Sequence, residues 1–318
     1  MKRIAFVFPG QGAQAVGMGK DIYDSHAGAK SIFDKADEAL GFKLTELIFQ
    51  GPEDELKKTA NTQPALLTTS VAILQAVLEL GIEPDFVAGH SLGEYSALVA
   101  GGVLSFEDAV RTVRARGEFM EQAVPSGQGG MAAVLGADRE QLAELCRKVT
   151  EEIGVVEMAN VNCPGQIVVS GSAAGVQAIV ERGKEAGAKR VIPLEVSGPF
   201  HSSLMQPAAD RLAGTLAGVP MNDARVPVVA NVTADSVLQA EDIRRLLVDQ
   251  VVSPVLWEDS VSWMIAQGVD TFVEIGSGTV LAGLIKKVDK QVQVVSINGR
   301  EALDKFAADW QTARQTSR

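Results

Sequence analysis

The chain has 318 residues, 46% hydrophobic and 22% charged, with a formal net charge of −11. That composition describes a soluble globular protein with ample core, in one large domain or two ordinary ones, and no apolar run approaches the ~18 residues a membrane span needs. The acidic balance argues against nonspecific binding to nucleic acid or anionic membranes. Two cysteines, Cys146 and Cys163, cannot build a disulfide framework or a four-ligand metal site. The three histidines, His26, His90 and His201, form no ligand pair at helical spacing, so no metal is expected. Ile4 to Phe8 stops at Pro9-Gly10, too soon for the core of an export signal, and a reducing cytoplasm is the expected location.

In chain order, Ile4 to Phe8 reads as a first strand, followed by the glycine-rich Pro9–Gly19 turn. A dinucleotide loop would need glycine at position 15, where Ala15 stands, and there is no G-K-[ST]. The turn therefore reads as one that brings backbone N–H groups near a ligand. Helical patterns cover Ser31 to Leu40 and Leu44 to Phe49, and Asn61-Thr62-Gln63-Pro64 opens an apolar helix from Ala65 to Leu80. Phe86-Val87-Ala88 ends a buried strand, and a helix runs from Leu92 to Ala100 before Gly101-Gly102. Between them, Gly89-His90-Ser91-Leu92-Gly93 fits G-x-S-x-G, the tight strand-to-helix turn that exposes a nucleophilic serine. Ser105-Phe106-Glu107-Asp108 is a capping box opening another helix. At ~100° per residue its apolar stripe excludes Arg111 but leaves Arg114 and Arg116 both at the edge, as structural or anion-binding arginines.

A linker-like stretch from Pro125 to Gly130 leads into β-α-β-β-α-β, the ferredoxin-like order, across residues 128–197. Strands and helices alternate again afterwards, including a strand from Val226 to Val232 and one from Thr271 to Ile275. The expected fold is α/β: a mainly parallel sheet flanked by helices, an α/β-hydrolase-like core, with an inserted ferredoxin-like small domain. The expected division is a large catalytic domain in two segments, 1–127 and 198–318, interrupted by the subdomain 128–197.

Serine is a weak nucleophile at neutral pH and needs a base within hydrogen-bond reach. His26 lies in a polar segment and the side chain of His90 should diverge from that of its neighbour Ser91, which leaves His201. No carboxylate between Ser91 and His201 sits in a recognisable loop after a core strand, so a serine–histidine dyad oriented by another group, such as a carbonyl, is expected.

These residues together resemble the malonyl-CoA:acyl carrier protein transacylase family. Phe8-Pro9-Gly10-Gln11-Gly12-Ala13-Gln14 matches its opening motif, and Gly89-His90-Ser91-Leu92-Gly93-Glu94 its elbow. Asn61-Thr62-Gln63-Pro64, Arg116-Gly117, Asn162-Cys163-Pro164-Gly165-Gln166, Gly198-Pro199-Phe200-His201-Ser202 and Val273-Glu274-Ile275-Gly276 follow in order. The resemblance implies ping-pong transfer of malonyl from malonyl-CoA, through a malonyl ester on Ser91, to the phosphopantetheine thiol of acyl carrier protein, for fatty acid or polyketide synthesis. It makes His201 the base, gives the oxyanion hole to the N–H groups of Gln11 and Leu92, and assigns the malonate carboxylate to Arg116. It has the main-chain carbonyl of Gln250 orient the histidine, and Gln63 line the pocket through water. Leu92 and Phe200 resemble malonyl-selecting versions. No cofactor is implied, since malonyl-CoA is a substrate and the partner carries the phosphopantetheine; a monomer is expected. Lys189, Arg190, Lys286 and Lys287, with Lys184, are the cationic clusters available to dock an acidic carrier protein. The competing readings are a serine esterase or thioesterase on the same elbow, and a non-catalytic docking subunit.

Overall fold

A computed structural model describes residues 3–316. Its strands are β1 (Arg3–Phe8), β2 (Phe86–Gly89), β3 (Gly129–Leu135), β4 (Val156–Cys163), β5 (Gln166–Ser172), β6 (Arg190–Pro193), β7 (Val228–Val229), β8 (Ser236–Val237), β9 (Val255–Leu256), β10 (Val269–Ile275) and β11 (Gln293–Ile297). Ile4 to Phe8 is buried at every position, with no alternation, as a strand covered on both faces must be. It sits inside a six-stranded sheet of order β11-β10-β1-β2-β7-β8, parallel except for the β7–β8 pair. Because β1 is flanked by β10 on one side and β2 on the other, the crevice beyond the carboxyl ends of β1 and β2 is where an open α/β sheet holds its ligand. The turn after β1 and the elbow after β2 meet there, joined by a His90 N–H bond to the Phe8 carbonyl at 3.1 Å.

The second sheet has the order β6-β3-β5-β4, all antiparallel, with the helices Arg139–Glu152 and Ala173–Arg182 packed through Leu142, Leu145, Val149, Val176 and Ile179 into a core of its own. A fifth strand, which the sequence pattern does not announce, joins its edge: β9 pairs parallel with β4, Asn160 opposite Val255. Two residues are too short to leave a periodic signal, yet they tie the small sheet to the second segment of the chain. Among the described residues no helix is long and apolar enough to cross a membrane.

Three boundaries differ from expectation. The long apolar helix runs Thr59–Leu78, so Pro64 lies inside it. Proline has no N–H for the carbonyl four residues back; the freed Ala60 carbonyl accepts instead from Arg114 Nη1 at 3.1 Å. The strand expected from Val226 to Val232 shortens to β7, because the Ala230 N–H bonds the Asp235 carbonyl in a turn and the Asn231 N–H bonds the Glu94 carboxylate, so neither continues the ladder. The helix expected from Ser31 starts at Ala27, where His26 Nδ1 accepts from the Ala29 N–H at 3.0 Å; imidazole caps lie outside the usual Ser/Thr/Asp/Asn pattern.

Candidate active site

The elbow owes its shape to close approach. A Cβ on Gly89 would lie 1.9 Å from the Gly93 carbonyl oxygen, and one on Gly93 would lie 2.1 Å from that of Phe8. With both flanks this tight, Ser91 takes φ 52°, a left-handed conformation costly for a non-glycine residue and typical of sites that must present a side chain. His201, in the loop that leaves the small sheet, is likewise left-handed at φ 58°. The two converge: Ser91 Oγ lies 2.7 Å from His201 Nε2.

The far side of the imidazole settles its tautomer. His201 Nδ1 donates to the Gln250 main-chain carbonyl at 2.8 Å, leaving Nε2 as the acceptor that faces the serine hydroxyl. Among the described residues no carboxylate is hydrogen-bonded to the ring. Burial, then the charge of Arg116, depress the His201 pKa from 6.5 to about 3, so the ring is neutral and able to accept a proton throughout the physiological range. His90 lies apart from this pair, hydrogen-bonded through Nε2 to Asn162 Oδ1 at 2.7 Å and packed on Trp257.

Arg116 reaches the same point from the helix Phe106–Gln122. Gly117 lets that helix close on Thr59–Leu78: a Cβ there would meet the Ala60 Cα at 2.7 Å. Arg116 is 1% exposed. Its Nη1 donates to Gln63 Oε1 at 2.8 Å, and Nη2 donates to Gln250 Oε1 at 2.9 Å and Ser91 Oγ at 3.2 Å. Each of these acceptors is neutral, so among the described residues a cation lies beside the serine with no carboxylate directly on it. Burial lowers its pKa, but a guanidinium stays charged at neutral pH. Of the two arginines that periodicity leaves open, Arg114 is bonded to Glu118, Asn61 and the Ala60 carbonyl, away from Ser91. Gln63 sits behind Arg116 and binds it directly, with Nε2 near Met120 Sδ.

A cavity of about 120 Å³ opens in front of Ser91 and His201, walled by Gln11, Leu92, Arg116 and Phe200 from the large sheet's side and by Met131, Asn160 and Leu194 from the small sheet's. A second cavity of about 230 Å³ continues outward past Gln11, His90, Asn160, Asn162 and Val280. Among the described residues, the N–H groups of Gln11 and Leu92 have no internal hydrogen-bond acceptor, and both residues line the inner cavity. Two free amides beside a serine–histidine pair can hold a developing oxyanion. Lys189 and Arg190 are exposed at the start of β6, and Lys286 and Lys287 in the last turn of the helix Val280–Val288. Lys286 Nζ is partly occupied, donating to the Lys290 and Val292 carbonyls.

Asn231 lies outside every motif quoted above, and Glu94 ends the elbow motif with no role assigned to it there. Asn231 Oδ1 accepts from the Ser91 N–H at 2.8 Å, and Asn231 Nδ2 donates to the Gly89 carbonyl at 2.7 Å, pinning both ends of the elbow. The available signal was a lone asparagine after the apolar Val228-Val229-Ala230 run.

The acyl transferase domain family matches residues 5–316. The malonyl CoA-acyl carrier protein transacylase of Bacillus subtilis is 56% identical over 304 residues, 96% of each chain. The structure of the malonyl CoA-acyl carrier protein transacylase from Clostridium perfringens superposes with a TM-score of 0.95 at 43% identity, covering 99% of both chains. A malonyl-transacylase solved in complex with its type II PKS acyl-carrier protein superposes at 0.94 with 42% identity, covering 97% of this chain and 100% of the other.

Proposed function

This chain belongs to the acyl transferase domain family and, within it, to the malonyl CoA-acyl carrier protein transacylases, and on that footing we propose how its residues divide the work. The enzyme transfers a malonyl group from malonyl-CoA to acyl carrier protein, supplying extender units for fatty acid synthesis. Ser91 is the nucleophile. His201 Nε2 takes its proton as Oγ attacks the thioester carbonyl, and the oxyanion is received by the N–H groups of Gln11 and Leu92. Collapse of the tetrahedral intermediate breaks the C–S bond, and His201 returns the proton to the departing coenzyme A thiolate. In the second half the carrier's phosphopantetheine thiol gives its proton to His201 and attacks the malonyl ester, and Ser91 Oγ leaves with that proton.

The observation that carries this reading is the 3.2 Å approach of Arg116 Nη2 to Ser91 Oγ. A buried cation there suits an acyl group with a free carboxylate, which it can hold as a bidentate pair. The substrate's negative charge also offsets the Arg116 charge that helps depress His201, so loading makes the base stronger when it is needed. Phe200 and Leu92 bound the space beside the acyl chain and disfavour a branched unit.

Arg116→Ala tests the reading. Malonyl transfer should fall about 100-fold or more, the cost of removing a buried charge partner, while acetyl transfer or hydrolysis rises relative to it. Unaltered preference for malonyl-CoA would overturn the assignment. We further propose that residues 128–197 act as an inserted unit between segments 1–127 and 198–318, supported by the separate core of the small sheet. A monomer acting in the cytoplasm is supported by a site drawn from one chain and by two free thiols, and size-exclusion chromatography tests the first. Lys189, Arg190, Lys286 and Lys287 are proposed to dock the carrier protein, supported by their exposure on two elements near the outer cavity.

A further inference from the structure

The hydrogen bonds beneath the elbow have a direction that backbone groups impose, since an N–H only donates and a C=O only accepts. The Ser91 N–H and the Gly89 carbonyl fix which end of the Asn231 amide is oxygen. Asn231 Oδ1, the Ser91 carbonyl and a Glu94 carboxylate oxygen then surround Gln250 Nε2, at 3.1, 3.1 and 2.8 Å. With its nitrogen held by three acceptors, Gln250 presents only Oε1 to Arg116, which donates to it at 2.9 Å. Reversed, the amide would turn its NH2 toward a guanidinium that has only donors to offer.

Glu94 makes the shortest of the three contacts and is the only carboxyl group among them. It is 2% exposed, and its hydrogen bonds go to Gln250 Nε2 and the Asn231 N–H. Among the described residues, only Glu274 is a comparably buried acid, and it is used by the Leu281 and Ala282 amides and the Ser296 hydroxyl. A buried carboxyl group is expensive to desolvate unless its partners compensate it, and here the partners lead through one amide to the cation of the site. Burial lifts Glu94 to about 7 against the opposing pull of its two hydrogen-bond donors and Arg116, and one oxygen remains an acceptor in either protonation state.

We propose that Glu94 is a positioning residue: through the Gln250 side chain it holds the Arg116 guanidinium, and so sets the enzyme's preference for acyl groups that carry a carboxylate. The inference rests on Arg116 binding that carboxylate. It is separable from the orientation of His201, which uses the Gln250 main chain.

The test compares two reactions of Ser91 in the intact enzyme: loading from malonyl-CoA, and labelling by an alkyl fluorophosphonate, which needs Ser91 and His201 but no carboxylate contact. Glu94→Gln keeps the size of the side chain and one acceptor oxygen but removes the charge that assists the bond from Gln250 Nε2. The ratio of malonyl loading to labelling should fall about tenfold, the worth of one charge-assisted hydrogen bond, with the change in KM rather than kcat. Gln250→Met keeps the main-chain carbonyl for His201 and should lower the same ratio, which covers the case that Glu94→Gln fails to fold. Neither change should add to the loss caused by Arg116→Ala, because residues acting in one relay are not additive. An unchanged ratio in both variants, equal losses in both reactions, or full additivity with Arg116→Ala would overturn the proposal. If Arg116→Ala itself keeps the malonyl preference, the carboxylate assignment falls and the relay with it. If Arg116→Ala loses that preference while Glu94→Gln and Gln250→Met keep it, the relay alone falls.

Discussion

The two sheets that face each other across the cavity are built on opposite terms. On the large sheet's side, Ser91, Arg116, His201 and Gln250 come from four separate elements and are locked by a connected set of hydrogen bonds, with Arg116, His201 and Gln250 themselves buried. On the small sheet's side, the contribution is mostly apolar surface, Met131 and Leu194, with Asn160, on strands joined by short connections. The first side has no freedom to lose, since each group is another's partner. The second bounds the cavity without holding the reacting atoms. The large sheet's side is also where the backbone is most constrained: Ser91 and His201 are two of the three left-handed non-glycine residues among those described.

The sharpest way to break this comparison is to remove one group from each side. Ser91→Ala should lower transfer by on the order of 10⁴-fold or more, as loss of an activated nucleophile does, whereas Met131→Ala should alter it by less than about tenfold. Rapid-quench measurement of the acyl-enzyme distinguishes them, and comparable losses would show that the small sheet takes part in the chemistry.

Backbone tolerance gives a second contrast. Gly89→Ala forces a Cβ to within 1.9 Å of the Gly93 carbonyl oxygen, while Gly130 in β3 has nothing within 4 Å of its Cβ position. Thermal unfolding should show Gly89→Ala losing about 4 kcal/mol or more. Gly130→Ala should be neutral, or more stable by about 0.4–1 kcal/mol through the unfolded chain.

The pH response sharpens the comparison from the side of the base. The His201 pKa lies below its ordinary value of 6.5, at about 3, so the unfolded chain binds the proton more readily between those values. Stability from this group is therefore fully present above pH 6.5 and is lost as pH falls toward about 3. Since burial is the larger cause and the Arg116 charge the next, Arg116→Ala should move the His201 titration upward in an NMR pH series, though not to 6.5. No movement would mean that the two groups are not electrostatically coupled.

The smallest expected effect lies outside the cavity. Lys286→Glu with Lys287→Glu should raise the KM for carrier protein a few-fold, more at low salt than at high, and leave malonyl-CoA loading intact. Unchanged steady-state kinetics with carrier protein would remove this helix end from the docking surface.

Much of this was legible in the chain. The all-apolar first strand, the G-x-S-x-G elbow and the alternating elements carry the architecture, because burial on both faces and a tight strand-to-helix turn leave local composition no alternative. Elimination left His201 among three histidines, and the absent acid left its ring to be oriented by another group, of which a carbonyl was one example. Helical periodicity could only narrow the cation to Arg114 or Arg116. Side-chain length lets either reach a pocket; the resemblance assigns the carboxylate to Arg116, and the fold gives each its own partner, the carbonyl freed by Pro64 for Arg114 and Ser91 Oγ for Arg116. Asn231 left no periodic mark, since a single polar residue after an apolar stretch fits a strand end as well as a site, and Glu94 was marked only as the end of the elbow motif, without a partner. Their role depends on pairing residues 137 to 159 positions apart, which no local pattern encodes. The sequence alone determined which chemistry could occur at Ser91; the tertiary structure decided which groups surround it, because the direction of a buried hydrogen bond is set by neighbours that only folding brings together.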